Sequence, residues 1–359
     1  MSCTVVVGGQ FGSEGKGKTV AILARQHRRP WVVRCGGPNS GHSLTRNNTT
    51  VVLRQLPVAA ASCPNAILLL AAGCAIDLNL IIQEIETWAI PRDRLFIDPR
   101  AVLITEEDRI LESRLRESIA STGTGTGSAL ARRLLRDPGV VCASQSAELA
   151  RRATVTAIAP LLQAAIRDGG DVIVEGSQGF GLSLLHSPDY PFVTSRDTTA
   201  SAFASEVGLG PRDIGEVLVV VRTFPIRVGG YSGPLKNEIS WDDVMRIGGD
   251  PHVIQEYTSV TRRLRRVAEF DRDFVSKACV YNSATGLAVM GLDRLDASVR
   301  GARRASDLSD KVRSFMHQLE AETDTPIVLA GTGFNADDAV CFRSELDSDR
   351  SFVEAAAIS

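Results

Sequence analysis

"TVVVGGQFGSEGKGKT", residues 4–19, is the stretch on which the fold turns. The apolar run Thr4–Val7 breaks into five glycines (Gly8, Gly9, Gly12, Gly15 and Gly17) before the chain turns apolar again at Val20. A strand that opens through glycines into a helix lets backbone N–H groups approach an anion closely, and the helix N-terminus adds a favourable dipole. Gly12 to Thr19 also satisfies the GxxxxGK[ST] phosphate-loop pattern. A second lysine, Lys16, sits inside the loop and Glu14 precedes it. The pattern therefore leaves open whether Lys16 or Lys18 reaches a phosphate.

Outward from this loop, further short apolar runs predict strands at Trp31–Arg34, Ala66–Leu70, Asp171–Val174, Val217–Val221, Leu287–Met290 and Ile327–Leu329. Helical spacing relates Ile104, Leu111, Leu115 and Ile119, and again Leu308, Val312, Phe315, Met316 and Leu319. Strands apolar on both faces that alternate with helices predict an α/β fold with a mainly parallel central sheet flanked by helices. Ligands in such sheets sit at the carboxyl ends of strands, where the glycine-rich segments fall. With no internal repeat or linker, the 359 residues read as one domain over residues 1–359, with long functional loops at Gly176–Arg212 and Gly229–Glu269.

Net charge is −2, from 40 basic and 42 acidic residues, so no overall field draws the chain to nucleic acid or to an anionic membrane. Seven scattered cysteines without a CxxC argue against a disulfide framework and a zinc site, and fit a reducing cytoplasm. No signal peptide and no membrane-spanning run is expected.

Four more segments carry candidate chemistry. In "CGGPNSGHS", residues 35–43, His42 between Gly41 and Ser43 reads as a mobile-loop imidazole able to assist a phosphoryl group in flight. "STGTGTGS", residues 121–128, is by composition either a flexible linker or a second phosphate site. "EGSQGFG", residues 175–181, offers Gln178 to a base or sugar. "TRRLRR", residues 261–266, packs four arginines into five positions, either as a solvated face, as a nucleic-acid patch or as forks for a small dicarboxylate. Two phosphate sites with one carboxylate site imply a three-substrate reaction.

Taken in order, GGQFGSEGKGK, GGPNSGH, STGTG, VEGSQG, PFVTSRDTTA with GLGPR, T-x-R-x-R at 261–265, GLDRLD and GTG at 331–333 resemble the adenylosuccinate synthetase family over nearly the whole chain. That family phosphorylates O6 of a purine monophosphate with a nucleoside triphosphate and then displaces the phosphate with aspartate. The resemblance implies a single α/β domain, a homodimer and Mg²⁺. It makes Lys16 the phosphate-contacting lysine and His42 the phosphoryl-transfer histidine, with Ser13 in the catalytic set. Metal contacts would be Ser13 and the carbonyl of Gly41. Purine monophosphate contacts would be Ser13, Asn39, Ser121, Thr122, Gln178, Thr194 and Arg263, with Arg132 supplied across the dimer. Aspartate would meet Thr261, Arg263 and Arg265. The donor would meet Gly12, Glu14, Gly15, Lys16, Gly17, Lys18 and Thr19 of the loop, with Arg265, Asp293, Gly331 and Gly333.

Three departures from the family pattern stand out. Ser13 replaces the family's aspartate, which contacts the purine N1, acts as base and helps hold Mg²⁺. Met290-Gly291-Leu292-Asp293 replaces T-K-L-D and loses the lysine that can help recognise guanine O6. The chain is also compact, with little between Asp296 and Thr325. Serine at position 13 with compact length resembles the branch encoded by viruses whose DNA carries 2-aminoadenine. The resemblance then implies dGMP, L-aspartate and ATP or dATP as substrates, no nucleic acid or membrane partner, and the host cytoplasm. The alternatives are an ordinary synthetase using IMP and GTP and, in a different class, a P-loop NTPase switch without ligase activity.

Overall fold

The computed structural model describes residues 3–46, 49–251, 255–257 and 264–342. Ten strands form the central sheet: β1 (Cys3–Gly8), β2 (Trp31–Arg34), β3 (Ile67–Leu70), β4 (Leu95–Ile97), β5 (Thr154–Val155), β6 (Val172–Glu175), β7 (Ile214–Arg222), β8 (Gly286–Met290), β9 (Ile327–Gly331) and β10 (Ala339–Cys341). They lie in the order β10, β9, β8, β7, β1, β6, β2, β3, β4, β5. Every neighbouring pair is parallel except β9 with β10. All seven expected strands are present. β4, β5 and β10 are additional, and at two or three residues each they are too short to show a pattern in the sequence.

The strand order places the site. The chain leaves β1 for β2, moves outward through β3, β4 and β5, and returns to fill the slot between β1 and β2 with β6. It then crosses to the other flank of β1 as β7. Connections therefore diverge at β1, and such a switch point opens a crevice at the carboxyl end of the strand. The glycine loop lies there, followed by the helix Lys16–Arg25, whose small apolar residues are buried. At Gly15, φ is 108°, and a side chain would meet Met290 of β8 at 2.8 Å. At Gly17 a side chain would press on His42 and Ser43 at 3.0 Å, so the helix can seat against the hairpin His42–Arg46/Thr49–Leu53.

Two expectations change. The 104–119 stripe is not one helix: Thr105 and Asp108 form a capping box that starts Glu106–Ser113, and a second helix, Leu115–Ile119, ends at Ala120 with φ 54°. Ile104 lies before the cap, and Leu111 and Leu115 are exposed. The two long loops also carry structure. Gly176–Arg212 contains the helix Ala200–Val207, capped by Thr199. Gly229–Glu269 contains the helix Trp241–Gly248 and strands Glu238–Ile239 and Arg266–Ala268, which join Ile226–Arg227 in a small antiparallel sheet. Phe224, Ile226, Trp241, Val244 and Val267 give that unit its own apolar core. It fixes the chain immediately after Arg265.

Candidate active site

The crevice is a cavity of about 710 Å³, within the range of a small-molecule site. Lys16, Lys18, Arg116, Arg222, Arg265 and Arg294 line it, against Glu14, Glu256 and Asp293. An excess of cations in a near-neutral protein suits polyanionic guests.

The glycine loop is built around Glu14. Its buried carboxylate accepts from the amides of Gly12 at 2.8 Å and Gln10 at 3.2 Å, and from Lys16 Nζ at 2.6 Å. Lys16 Nζ also donates to the carbonyl of Gln178, which itself has φ 64°. Lys18 is spent elsewhere: its Nζ donates to the carbonyls of Gly333 at 2.8 Å and Asp338 at 2.6 Å. Burial pushes the Lys18 ammonium down to about 8, opposed by the nearby Asp338 and Asp293. The literal phosphate-loop lysine is thus a tether between the first helix and the 333–338 turn. Thr19 Oγ1 bonds back to the carbonyl of Gly15 at 3.2 Å and does not line the cavity.

His42 is not on a mobile loop. It begins the hairpin strand and is buried, because Glu175 at the end of β6 binds its Nδ1. The Glu175 carboxylate also accepts from Arg34 Nη1 at 3.0 Å and from the amide of Val58 at 2.9 Å. Burial alone would raise that carboxyl, but His42, Arg34 and the amide hold it below its ordinary value. Burial, with Arg34 and Lys16 nearby, pushes the His42 imidazole down to about 4 against the pull of Glu175. The neutral ring donates Nδ1–H to Glu175 and turns Nε2, buried and without a protein hydrogen-bond partner, to the cavity wall.

On the opposite side Glu256 pairs with Arg222 at 2.6 and 3.1 Å and with Arg294 at 3.0 Å. Burial would raise this carboxyl, yet Arg222 and Arg294 hold it down at about 2. Arg222 Nη1 donates to the carbonyl of Ser13 at 3.2 Å, and Arg265 Nη1 donates to Ser13 Oγ at 2.8 Å. Ser13 has φ 57°, a left-handed conformation that serine rarely adopts. Both of its polar handles thus belong to arginines.

Of the remaining sequence candidates, Gly12, Gly17, Asn39, Gly41, Ser121, Thr122, Gln178, Asp293 and Gly333 line the cavity. Thr194 does not: its amide closes a turn onto the carbonyl of Leu182. Gly331 is occluded by Met290. Arg132 points away, with Nε on Asp137 at 2.8 Å and Nη1 on Asp108 at 3.3 Å. Thr261 and Arg263 lie outside the described residues. Ser121 Oγ donates to Glu112, and Thr124 and Thr126 continue a hydroxyl chain into the helix Thr126–Leu134, so 121–128 is an ordered element rather than a linker. Glu175, Arg34, Arg222, Glu256 and Arg294 escaped the sequence reading. For Glu175 a signal existed, a charge closing the apolar strand Val172–Glu175. Arg34 and Arg222 close apolar strands in the same way, whereas Glu256 and Arg294 pair across 38 residues and leave no local pattern.

Among the described residues no cluster of three or more His, Cys, Asp or Glu could hold a metal. Gly41 and Ser13, which bring a carbonyl and a hydroxyl, nevertheless line the same cavity as the cations. Neutral hard oxygens fit Mg²⁺, which takes most of its ligands from water and substrate phosphates.

The family model for adenylosuccinate synthetase matches residues 5–146 and 141–300. The adenylosuccinate synthetase of Methanocaldococcus jannaschii is 35% identical over 352 residues, covering 96% of this chain and 98% of the relative. That of Thermococcus sibiricus is 38% identical, covering 93% and 96%. Among solved structures, the fully ligated adenylosuccinate synthetase of Plasmodium falciparum superposes with a TM-score of 0.83 at 20% identity, covering 95% of this chain and 100% of that one. The succinoaminodeoxyadenylate synthetase of cyanophage S-2L, bound to dGMP and to dATP as an energy donor, gives 0.80 at 24% identity, covering 96% and 97%. The chain belongs to the adenylosuccinate synthetase family, enzymes that form a C–N bond with a nucleoside triphosphate and Mg²⁺. The archaeal relatives are as compact as this chain, so short length does not mark one branch of the family.

Proposed function

We propose that this member of the family joins L-aspartate to the 6-position of dGMP with ATP or dATP, giving 2-amino-2′-deoxy-N6-succinyladenylate. The observation that carries the reading is Ser13. Guanine differs from hypoxanthine by a 2-amino group beside N1, so its pocket needs room and an acceptor where the family has a carboxylate. Serine offers both, and the cavity's own carboxylates are engaged elsewhere: Glu14 with loop amides and Lys16, Glu256 with two arginines, and Asp293 beside Arg300 at 3.8 Å. A buried amine left unpaired costs roughly 1–3 kcal/mol, enough to select a substrate. The cyanophage fold neighbour, with its dGMP and dATP, adds support for both substrates.

In the first step O6 of the purine attacks the γ-phosphorus as N1 gives up its proton to water, and the nucleoside diphosphate leaves. In the second the aspartate amine attacks C6, the phosphate departs with O6, and the amine loses a proton. His42 waits as a neutral ring, oriented by Glu175. The negative phosphates raise its basicity, so that Nε2–H can meet the charge developing during transfer. Lys16 leaves the Gln178 carbonyl for the phosphates. Mg²⁺, held by the Gly41 carbonyl, the Ser13 hydroxyl and the phosphates themselves, would neutralise phosphate charge. The incoming aspartate carboxylate, a stronger acceptor than a hydroxyl, draws Arg265 off Ser13. Asn39, Ser121, Thr122 and Gln178 are assigned to the monophosphate nucleotide, and Thr261 and Arg263 to aspartate with Arg265. Arg132 would act in the partner subunit of a homodimer.

A second reading, IMP with GTP, is favoured by the names of the archaeal relatives at 35–38% identity. Incubating the protein with aspartate, Mg²⁺ and each pairing of IMP, GMP or dGMP with ATP, dATP or GTP, followed by mass analysis, decides. Succinylated product from dGMP with ATP or dATP is expected. Product from IMP alone would overturn the proposal.

A further inference from the structure

Glu256 ties the chain at Arg265 to the central sheet. Its Oε1 accepts from Arg222 Nη2 at 2.6 Å and lies 3.0 Å from Arg294 Nη2, and its Oε2 accepts from Arg222 Nη1 at 3.1 Å. Both partners are buried and stand on regular elements: Arg222 ends β7, and Arg294 lies in the short helix Leu292–Leu295. The backbone of Glu256 has a different task. Its carbonyl accepts from the amide of Arg265 at 2.8 Å, and the next residue, Tyr257, bridges Leu264 in antiparallel register. The Arg265 carbonyl accepts from the Trp241 indole at 2.9 Å, and Arg265 Nε donates to the carbonyl of Tyr257 at 3.3 Å. Arg265 is therefore seated on the main chain of a residue whose side chain is fixed to the sheet. Charge acts in the same direction. Burial disfavours the Arg265 charge, the Glu256 carboxylate favours it, and Arg222 opposes it, so Glu256 offsets the repulsion among the cations that meet here. No step of the reaction above uses this carboxylate.

We propose that Glu256 is a positioning residue for aspartate capture: by fixing the foot of the segment that carries Arg265, and by screening it from Arg222 and Arg294, it sets where that guanidinium meets the substrate carboxylate. This deepens the aspartate half of the function proposed above and rests on it. Glu256 touches no substrate and acts through Arg265. Its loss therefore weakens the grip on aspartate more than it slows the reaction, since an interaction made equally in the ground and transition states moves KM and leaves kcat.

The test is a double-mutant cycle on the aspartate KM, measured with the donor and the purine monophosphate saturating. Glu256→Gln keeps the shape of the side chain and removes its charge. It is expected to raise the aspartate KM on the order of 10-fold, within the roughly 2- to 150-fold span of couplings between residues of one network, with kcat changed less than about threefold. In the Arg265→Leu background the same substitution should change the aspartate KM by less than about twofold. Equal fold-changes in the two backgrounds would overturn the proposal, because Glu256 would then act independently of Arg265. So would an unchanged aspartate KM in Glu256→Gln, or KM values for all three substrates that rise together, the mark of a general prop. Should Glu256→Gln fail to fold, Glu256→Asp, which keeps the charge on a shorter stem, is carried through the same cycle with the same criteria. Aspartate is common to the dGMP and IMP readings, so the cycle is run with whichever purine the product assay identifies. Product from IMP alone would remove the dGMP reading and leave Glu256 to be decided by the cycle.

Discussion

Glu175 and Glu256 each organise one wall of the cavity, and they do so differently. Glu175 ends a central strand, is fully buried, and holds Arg34, His42 and an amide of a short neighbouring segment. Glu256 sits on a connection, is partly open to the cavity, and holds two guanidiniums, one reaching Ser13 of the glycine loop and the other lying over Phe334. The first wall is anchored at Arg34 and Glu175, on neighbouring strands of the central sheet, and sites built on such elements hold their geometry best. The second is a lattice of arginines around one carboxylate, with long side chains that can exchange partners. Under the function proposed above, the chemical step falls to the sheet wall and the capture of aspartate to the arginine wall.

The largest effect should follow from breaking the sheet wall. His42→Ala is expected to lower kcat by about 10²–10⁴-fold with little change in nucleotide affinity, because in the proposed mechanism the imidazole meets charge that develops in transfer. Steady-state kinetics with separate nucleotide-binding titrations measure the split. An unchanged kcat with only a raised KM would place His42 among the binding residues and dissolve the contrast.

Next comes the arginine wall. Arg265→Leu, and separately Arg263→Leu, should each weaken aspartate by about 10–150-fold, the worth of a charge-assisted hydrogen bond, and weaken dGMP and the donor distinctly less. Equal losses for all three substrates would make the arginines a structural cluster and erase the difference between the walls.

Ser13 belongs to both walls, since arginines of the second wall hold a residue of the loop that opens the first. The ratio of kcat/KM for dGMP over dIMP should strongly favour dGMP in the wild type. Ser13→Asp should erode it, chiefly by impairing dGMP. A ratio that favours dIMP, or that moves less than about twofold on mutation, would show that position 13 is not the selector.

The smallest effect is on stability. The folded chain holds His42 near a pKa of 4, against 6.5 for an ordinary imidazole, so below pH 6.5 the unfolded chain binds a proton that the folded chain refuses. Stability is therefore fully present above pH 6.5 and declines as pH falls toward 4. Glu175, held below its ordinary 4.5, adds its own loss only at and below that value. Urea denaturation between pH 6.5 and 5 should show a slope in the wild type that exceeds that of His42→Asn by at most about 1.4 kcal/mol per pH unit. Identical slopes would mean that the ring titrates freely.

Much of the sheet wall is legible in the sequence and little of the arginine wall is. Val5, Val32, Val174 and Val219 announce buried parallel strands by composition, and glycines mark where those strands end. The hairpin that carries His42 is not legible, because its second strand, Thr49–Leu53, begins with polar residues and shows no run until Val51. Ion pairs are invisible for another reason. Arg222 and Glu256 are 34 residues apart and meet only because β7 and the small antiparallel sheet converge on the cavity. Four clustered arginines in the sequence point to an anion, yet the arginines that pair with Glu256 are Arg222 and Arg294, both from outside that cluster.

The tether from Lys18 to Gly333 and Asp338 bears on how the protein is made. The lysine leaves the ribosome more than three hundred residues ahead of its acceptors. At the ordinary elongation rate of about 5–20 residues per second, that ammonium waits for at least about 15 seconds. During that interval the first helix can pack on β1, yet the turn that carries Phe334 does not exist. A nascent chain can thus acquire its glycine loop early, but it cannot complete the wall formed by the 333–338 turn until that turn has emerged. Premature termination before residue 333 would leave a charged lysine beside a core that was shaped to cover it.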